Sequence, residues 1–81
     1  MAEMLELRVK KCMEKVLERQ LEEMSSDCSL QDDLEMTSLN LVMLQVEIEE
    51  EFKFIFDPLE DDFGWIFETY GNLCEYVRNK I

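Results

Sequence analysis

Apolar residues recur along this chain at helical intervals, and the intervals divide it into segments. Leu5, Val9, Cys12, Met13, Val16 and Leu17 form one stripe, which predicts a helix over residues 3–19. Lys10, Lys11 and Lys15 fall on its wet face, and Glu6 is spaced to pair with Lys10 across a turn. Residues 21–37 carry no such stripe. Ser25, Ser26, Asp27 and Ser29 make them a long connection, with Met24, Leu30 and Leu34 as isolated anchors to the core.

The pattern resumes after Thr37-Ser38, residue types that cap helices through a side-chain oxygen. With Thr37 as the cap, Ser38 takes the first helical position, and the helix runs to Phe52. Leu41, Leu44, Ile48 and Phe52 make its inward stripe. Leu39, Val42, Met43 and Val46 make a second one nearer the serine, either further core or a docking surface. Taken singly, Val42 reads as core, whereas Met43, flanked by Asn40 and Glu47, reads as exposed. Farther on, Asp57-Pro58 is a helix-start signal, which predicts a short helix over Leu59–Phe63. Trp65, Ile66 and Phe67 form a bulky apolar cluster. The last helix spans Thr69–Ile81, capped by Thr69 or Asn72, with Leu73, Tyr76, Val77 and Ile81 inward and Arg78 and Lys80 complementing the dipole. There are no repeats, and nothing alternates long enough to be a strand. The expected fold is all-α: one domain over residues 1–81, a small bundle of three main helices plus one short helix, with a long loop after the first helix.

Charge narrows the function. Twenty acidic residues against eight basic ones give a net charge of −12. Nucleic acid is therefore an improbable partner, since its affinity comes largely from Lys and Arg on phosphates. Partners with basic patches are expected instead, in encounters that salt weakens. A simpler role for the excess is to keep a small protein dissolved. Cys12, Cys28 and Cys74 are an odd set without a C-x-x-C pair, and the chain has no histidine, so neither a disulfide framework nor a zinc site is expected. Cys12 and Cys74 read as small core hydrophobes and Cys28 as the more exposed thiol. No signal peptide or membrane span is evident, so the expected compartment is a reducing cytoplasm.

Catalytic sets are missing: no histidine, no glycine-rich phosphate loop, no Ser/His/Asp arrangement. Asp57, Asp61 and Glu68 do not make a calcium loop, because Leu59 stands at a ligand position and Asp62 where a turn glycine belongs. Asp32 and Asp33 read as solvated acids able to attract a cation loosely. What is left is the Ser38 hydroxyl. At the head of a helix the first amides lack intrahelical partners and the dipole is positive, so a phosphate attached there is well tolerated.

Asp33-Leu34, Thr37-Ser38-Leu39 and Glu49-Glu50-Glu51-Phe52, in this order and spacing, resemble the signature of the acyl carrier proteins. Arg8-Val9-Lys10-Lys11 and Leu17 resemble the family's first helix. Glu22-Glu23-Met24 through Leu30 and Asp32 resemble its serine-bearing loop, and Thr69-Tyr70-Gly71-Asn72-Leu73 with Tyr76-Val77 its last helix. The resemblance implies that Ser38 receives 4′-phosphopantetheine from coenzyme A, placed by a phosphopantetheinyl transferase, and that the chain is not itself an enzyme. It implies further partners: an acyl-loading ligase or acyltransferase, and a ketosynthase or other client with a basic docking patch. Glu47, Glu50 and Glu51, with Glu49, would steer toward such clients, and Leu39, Met43 and Val46 would make brief apolar contacts. The expected cargo is an acyl or related thioester of fatty acid, polyketide or specialised biosynthesis, and the aromatic cluster around Trp65 is core or the mouth of a cargo cavity.

Departures from the family pattern qualify this. Thr37 replaces an aspartate, Glu35 stands where glycine is common, and Asn40 and Met43 occupy positions that are often acidic. They suggest a specialised carrier rather than the housekeeping one. A carrier of amino acids, peptides or D-alanine is the alternative, and a non-carrier acidic adapter is a further class. Met1 and the short tails suggest a free-standing chain, and a monomer is expected.

Overall fold

The first helix ends where its apolar stripe ends. The computed structural model describes residues 2–81, with side chains from residue 4 onward; Met1, on which the free-standing reading drew, lies outside them. α1 spans Ala2–Leu17 and buries Leu5, Val9, Cys12, Met13 and Val16, as the spacing predicts. It stops because Glu18 turns into the left-handed region at φ 56°. The expected Glu6–Lys10 pair is not what Glu6 makes. Its carboxylate meets Arg78 of the last helix at 3.4 Å, because packing brings a tertiary partner to that position.

α2 (Ser38–Phe52), α3 (Phe63–Ile66) and α4 (Tyr70–Lys80) complete an all-helical fold of three main helices and one short one. α2 and α4 both pack on α1, and α3 packs on α4. Leu44, Ile48 and Phe52 of α2 and Leu73, Cys74 and Val77 of α4 close on the α1 stripe to form the core. Leu30 and Leu34 pin the long connection as expected, and Met36 joins them in the core. An isolated antiparallel bridge, Ser29 to Thr69, ties this loop to the start of α4. The Gly71 N–H donates to the Ser26 carbonyl at 2.9 Å beside it.

Three further sequence readings need correction. Val42 is exposed, not core, because the inward face of α2 is fully supplied by Leu44, Ile48 and Phe52. The short helix lies over Phe63–Ile66 instead of Leu59–Phe63. Asp57-Pro58 begins only a turn, in which the Leu59 N–H donates to the Asp57 carboxylate (2.9 Å) and Leu59 is left in solvent. Asp62 then caps α3 by accepting from the Trp65 N–H, and Ile66 and Phe67 gain burial that Leu59 could not. Finally, Ile81 is exposed, since α4 has passed the end of the core.

Candidate functional site at the head of the second helix

Thr37 has extended backbone (φ −83°, ψ 172°) and makes a complete capping box with Asn40. The Asn40 N–H donates to Thr37 Oγ1 at 3.2 Å, and the Thr37 N–H donates to Asn40 Oδ1 at 3.0 Å. The consequence for Ser38 is direct. Because its neighbour caps the helix, the exposed Ser38 hydroxyl at the first helical position is not needed to hold the fold. No acidic residue stands in the first turn, so nothing there repels an added phosphate diester. The amides of Ser38 and Leu39 precede the first intrahelical acceptor, and the dipole places partial positive charge at this end. The donor chemistry therefore fits a phosphate ester on Ser38.

Around it lies an apolar face. Leu39, Val42, Met43 and Val46 are 68%, 58%, 42% and 45% exposed. They follow one another at spacings of three, one and three, so they share a side of α2. The acids expected to steer partners are placed differently from one another. Glu47 pairs with Lys15 at 3.2 Å, and Glu51 pairs with Arg8 at 2.7 Å. Glu49 accepts from the Phe56 N–H at 2.9 Å, while Glu50 points into solvent. Spacing cannot reveal these α1–α2 pairings, which depend on how two distant segments pack.

An open cleft of about 700 Å³ lies between α2, α3 and the loop. Leu41, Phe63 and Phe67 line it, together with Asp27, Asp32 and Glu68. Of the aromatic cluster, Ile66 and Phe67 are core, Phe67 also reaches the cleft, and Trp65 lies at the surface, 41% exposed. Asp33 is engaged by the Ser29 N–H at 2.7 Å, and among the described residues no group of acids is arranged to hold a metal ion.

The thiols are quiet. Burial, and then the Glu51 and Glu47 carboxylates, push Cys12 up to about 11; burial, and then Glu6, push Cys74 to about 11 despite a hydrogen bond with Tyr70. Cys28, half-buried, is raised by burial and by Asp33. Thioester exchange needs a thiolate, so none of these groups is set up to intercept an acyl group carried nearby.

Comparison with known proteins agrees with this geometry. The family described as "Phosphopantetheine attachment site" matches residues 7–77. The chain is 32% identical over 76 residues to the acyl carrier protein of Buchnera aphidicola subsp. Schizaphis graminum (strain Sg), covering 94% of this chain and 92% of that one. The matched family and the helical fold thus define a phosphopantetheine-bearing domain. The chain belongs to the acyl carrier protein family. Members of that family carry a 4′-phosphopantetheine group and work with transferases and acyl-handling enzymes, so the resemblance drawn from the motifs holds. Among the described residues, no helix is long and apolar enough to cross a membrane.

Proposed function

We propose that Ser38 is the residue that takes 4′-phosphopantetheine, and that the chain carries acyl or related intermediates as thioesters on that arm to biosynthetic enzymes. The observation that carries this reading is a serine hydroxyl free of capping duty, exposed at the positive end of α2. When bound, the group supplies a flexible thiol for the cargo, and tethering raises the cargo's effective concentration at each client. The chain's own residues do the rest. Thr37 and Asn40 fix the helix start, and Leu39, Met43, Val46 and Glu50 present a face to clients. A first turn without acids, where Thr37 and Asn40 stand, favours a specialised transferase or pathway over the housekeeping one.

Intact mass spectrometry tests the reading. Apo protein incubated with coenzyme A and a phosphopantetheinyl transferase should gain the mass of one phosphopantetheine, and Ser38→Ala should gain none while keeping its helical circular dichroism. Modification that persists in Ser38→Ala would refute the assignment. Loading of the holo form by an adenylating enzyme with an amino acid, but not with any acyl group, would make it an aminoacyl carrier.

A further inference from the structure

Glu47, Glu49, Glu50 and Glu51 look interchangeable in the sequence, yet the fold separates them. Arg8 of α1 grips Glu51 twice: Nε reaches the carboxylate at 2.7 Å and Nη2 reaches the backbone carbonyl at 2.9 Å. The same guanidinium lies over the Phe52 ring, 4.4 Å from its centroid. One turn toward the α2 start, Lys15 meets Glu47 at 3.2 Å, and Lys11 lines the groove between these two pairs. Glu49 is turned to the Phe56 amide. Ser38–Val46, meanwhile, contains no charged residue in a chain of net charge −12. Leu39, Val42, Met43 and Val46 form a stripe about 10 Å long, and its next position one turn on is the exposed Glu50, about 18 Å along the axis from Ser38.

We propose that Arg8 and Lys15 act as specificity residues: by holding Glu51 and Glu47 they subtract two carboxylates from the docking face. They leave an uncharged stripe that ends on Glu50 alone. The partner it fits is the transferase that modifies Ser38, with an apolar furrow beside its active site and a single cation about 18 Å from the reacting phosphate. This inference rests on the reading of Ser38 as the attachment residue. A partner with several cations along the furrow would have to displace Arg8 and Lys15 before gaining Glu51 and Glu47, and would be disfavoured to that extent.

The test uses the full chain, coenzyme A and a phosphopantetheinyl transferase, with kcat/KM for mass gain measured at about 20 and about 300 mM NaCl, a range over which screening changes strongly. With a transferase that carries several cations along its furrow, Lys15→Gln, which frees Glu47 from its surface pair, should be modified faster at low salt and lose at least about threefold more of its rate on adding salt than wild type does. Arg8→Gln should behave alike, with circular dichroism checking the fold because Arg8 also covers Phe52. Met43→Asp should lose about tenfold or more at both salts, through KM. Glu50→Gln should flatten the salt dependence that wild type retains. The comparison of slopes is decisive because the overall negative charge acts on every variant. An unchanged slope in both Lys15→Gln and Arg8→Gln, or Met43→Asp modified at the wild-type rate, would overturn the inference. Failure of the Ser38 reading looks different: mass gain absent from wild type and every variant, or retained in Ser38→Ala, which would overturn both.

Discussion

Glu35 pays a local cost that its sequence position hints at. It stands three residues before Ser38, where the family resemblance leads one to expect glycine, and its φ is 57°. A side chain in the left-handed region costs about 1 kcal/mol or more, whereas glycine enters it freely but gives up more entropy on folding. The exposed Glu35 side chain has little to offset that cost. Glu35→Gly should therefore stabilise the fold by up to about 1 kcal/mol in urea denaturation, and Glu35→Gln, which removes only the charge, should not. Equal gains from both variants would trace the effect to repulsion in an acidic chain rather than to backbone strain. The same scale explains what could be read of the site. Thr37 as cap and Ser38 as first helical residue follow from the residue types alone. The partner in the capping box was missed because Asn40 does the work usually given to Glu or Gln, and its shorter side chain is a weaker signal.

At the scale of elements, periodicity was legible wherever a helix had its own stripe, and failed where burial depends on a distant segment. α1, α2 and α4 follow from their spacing. α3 does not, because Asp57-Pro58 is a stronger local signal than Asp62, although only Asp62 is followed by residues with a core to enter. Asp61 shows how the intervening loop is held instead. Its carboxylate, 8% exposed, accepts from the Asp57 N–H at 2.6 Å and from the Tyr76 hydroxyl at 2.7 Å. Tyr70, whose hydroxyl donates to the Glu6 carbonyl at 2.8 Å, makes a similar link across 64 residues that no local pattern encodes. The two glycines give a contrast to measure. A Cβ at Gly71 would lie 2.7 Å from Ser26 Cβ and 2.8 Å from its carbonyl oxygen, whereas at Gly64 it would meet Asp62 Oδ1 at an ordinary 3.4 Å. Alanine normally favours a helix over glycine by about 1 kcal/mol. Gly64→Ala should therefore be neutral or slightly stabilising, and Gly71→Ala should cost about 1–3 kcal/mol by forcing the loop away from α4. Hydrogen exchange at the Gly71 amide, bonded to Ser26, should quicken in the second variant. A stable Gly71→Ala chain with an unchanged Gly71 amide would show that the loop yields without strain.

Across the whole molecule, the direction of pH dependence follows from which groups the core holds neutral. Burial raises Cys12 and Cys74 from an ordinary 9.0 to about 11 and raises Tyr70 and Tyr76 above their ordinary 10.0. A group with a raised folded pKa contributes stability that is complete below its unfolded pKa and lost as pH climbs through the folded one. Between pH 9 and about 11 the unfolded chain therefore releases thiol protons that the folded chain keeps, and unfolding grows easier. Each thiol contributes on the order of 2 kcal/mol to that loss, with the tyrosines extending it to higher pH. Asp61 works in the opposite direction. Burial alone would raise it, but the Asp57 amide, the Tyr76 hydroxyl and Lys80 outweigh burial and lower it, so its contribution is present above the unfolded value of 3.8 and disappears as acid protonates the folded carboxylate. Urea denaturation at several pH values should thus show stability level from pH 8 down to 5 and falling steeply above 9. Cys12→Ala and Cys74→Ala will lower the whole curve by leaving cavities, but each should make its alkaline limb shallower, since the missing thiol no longer titrates. An alkaline limb equally steep in both variants would move the cause from the buried thiols to the Tyr70 and Tyr76 hydroxyls.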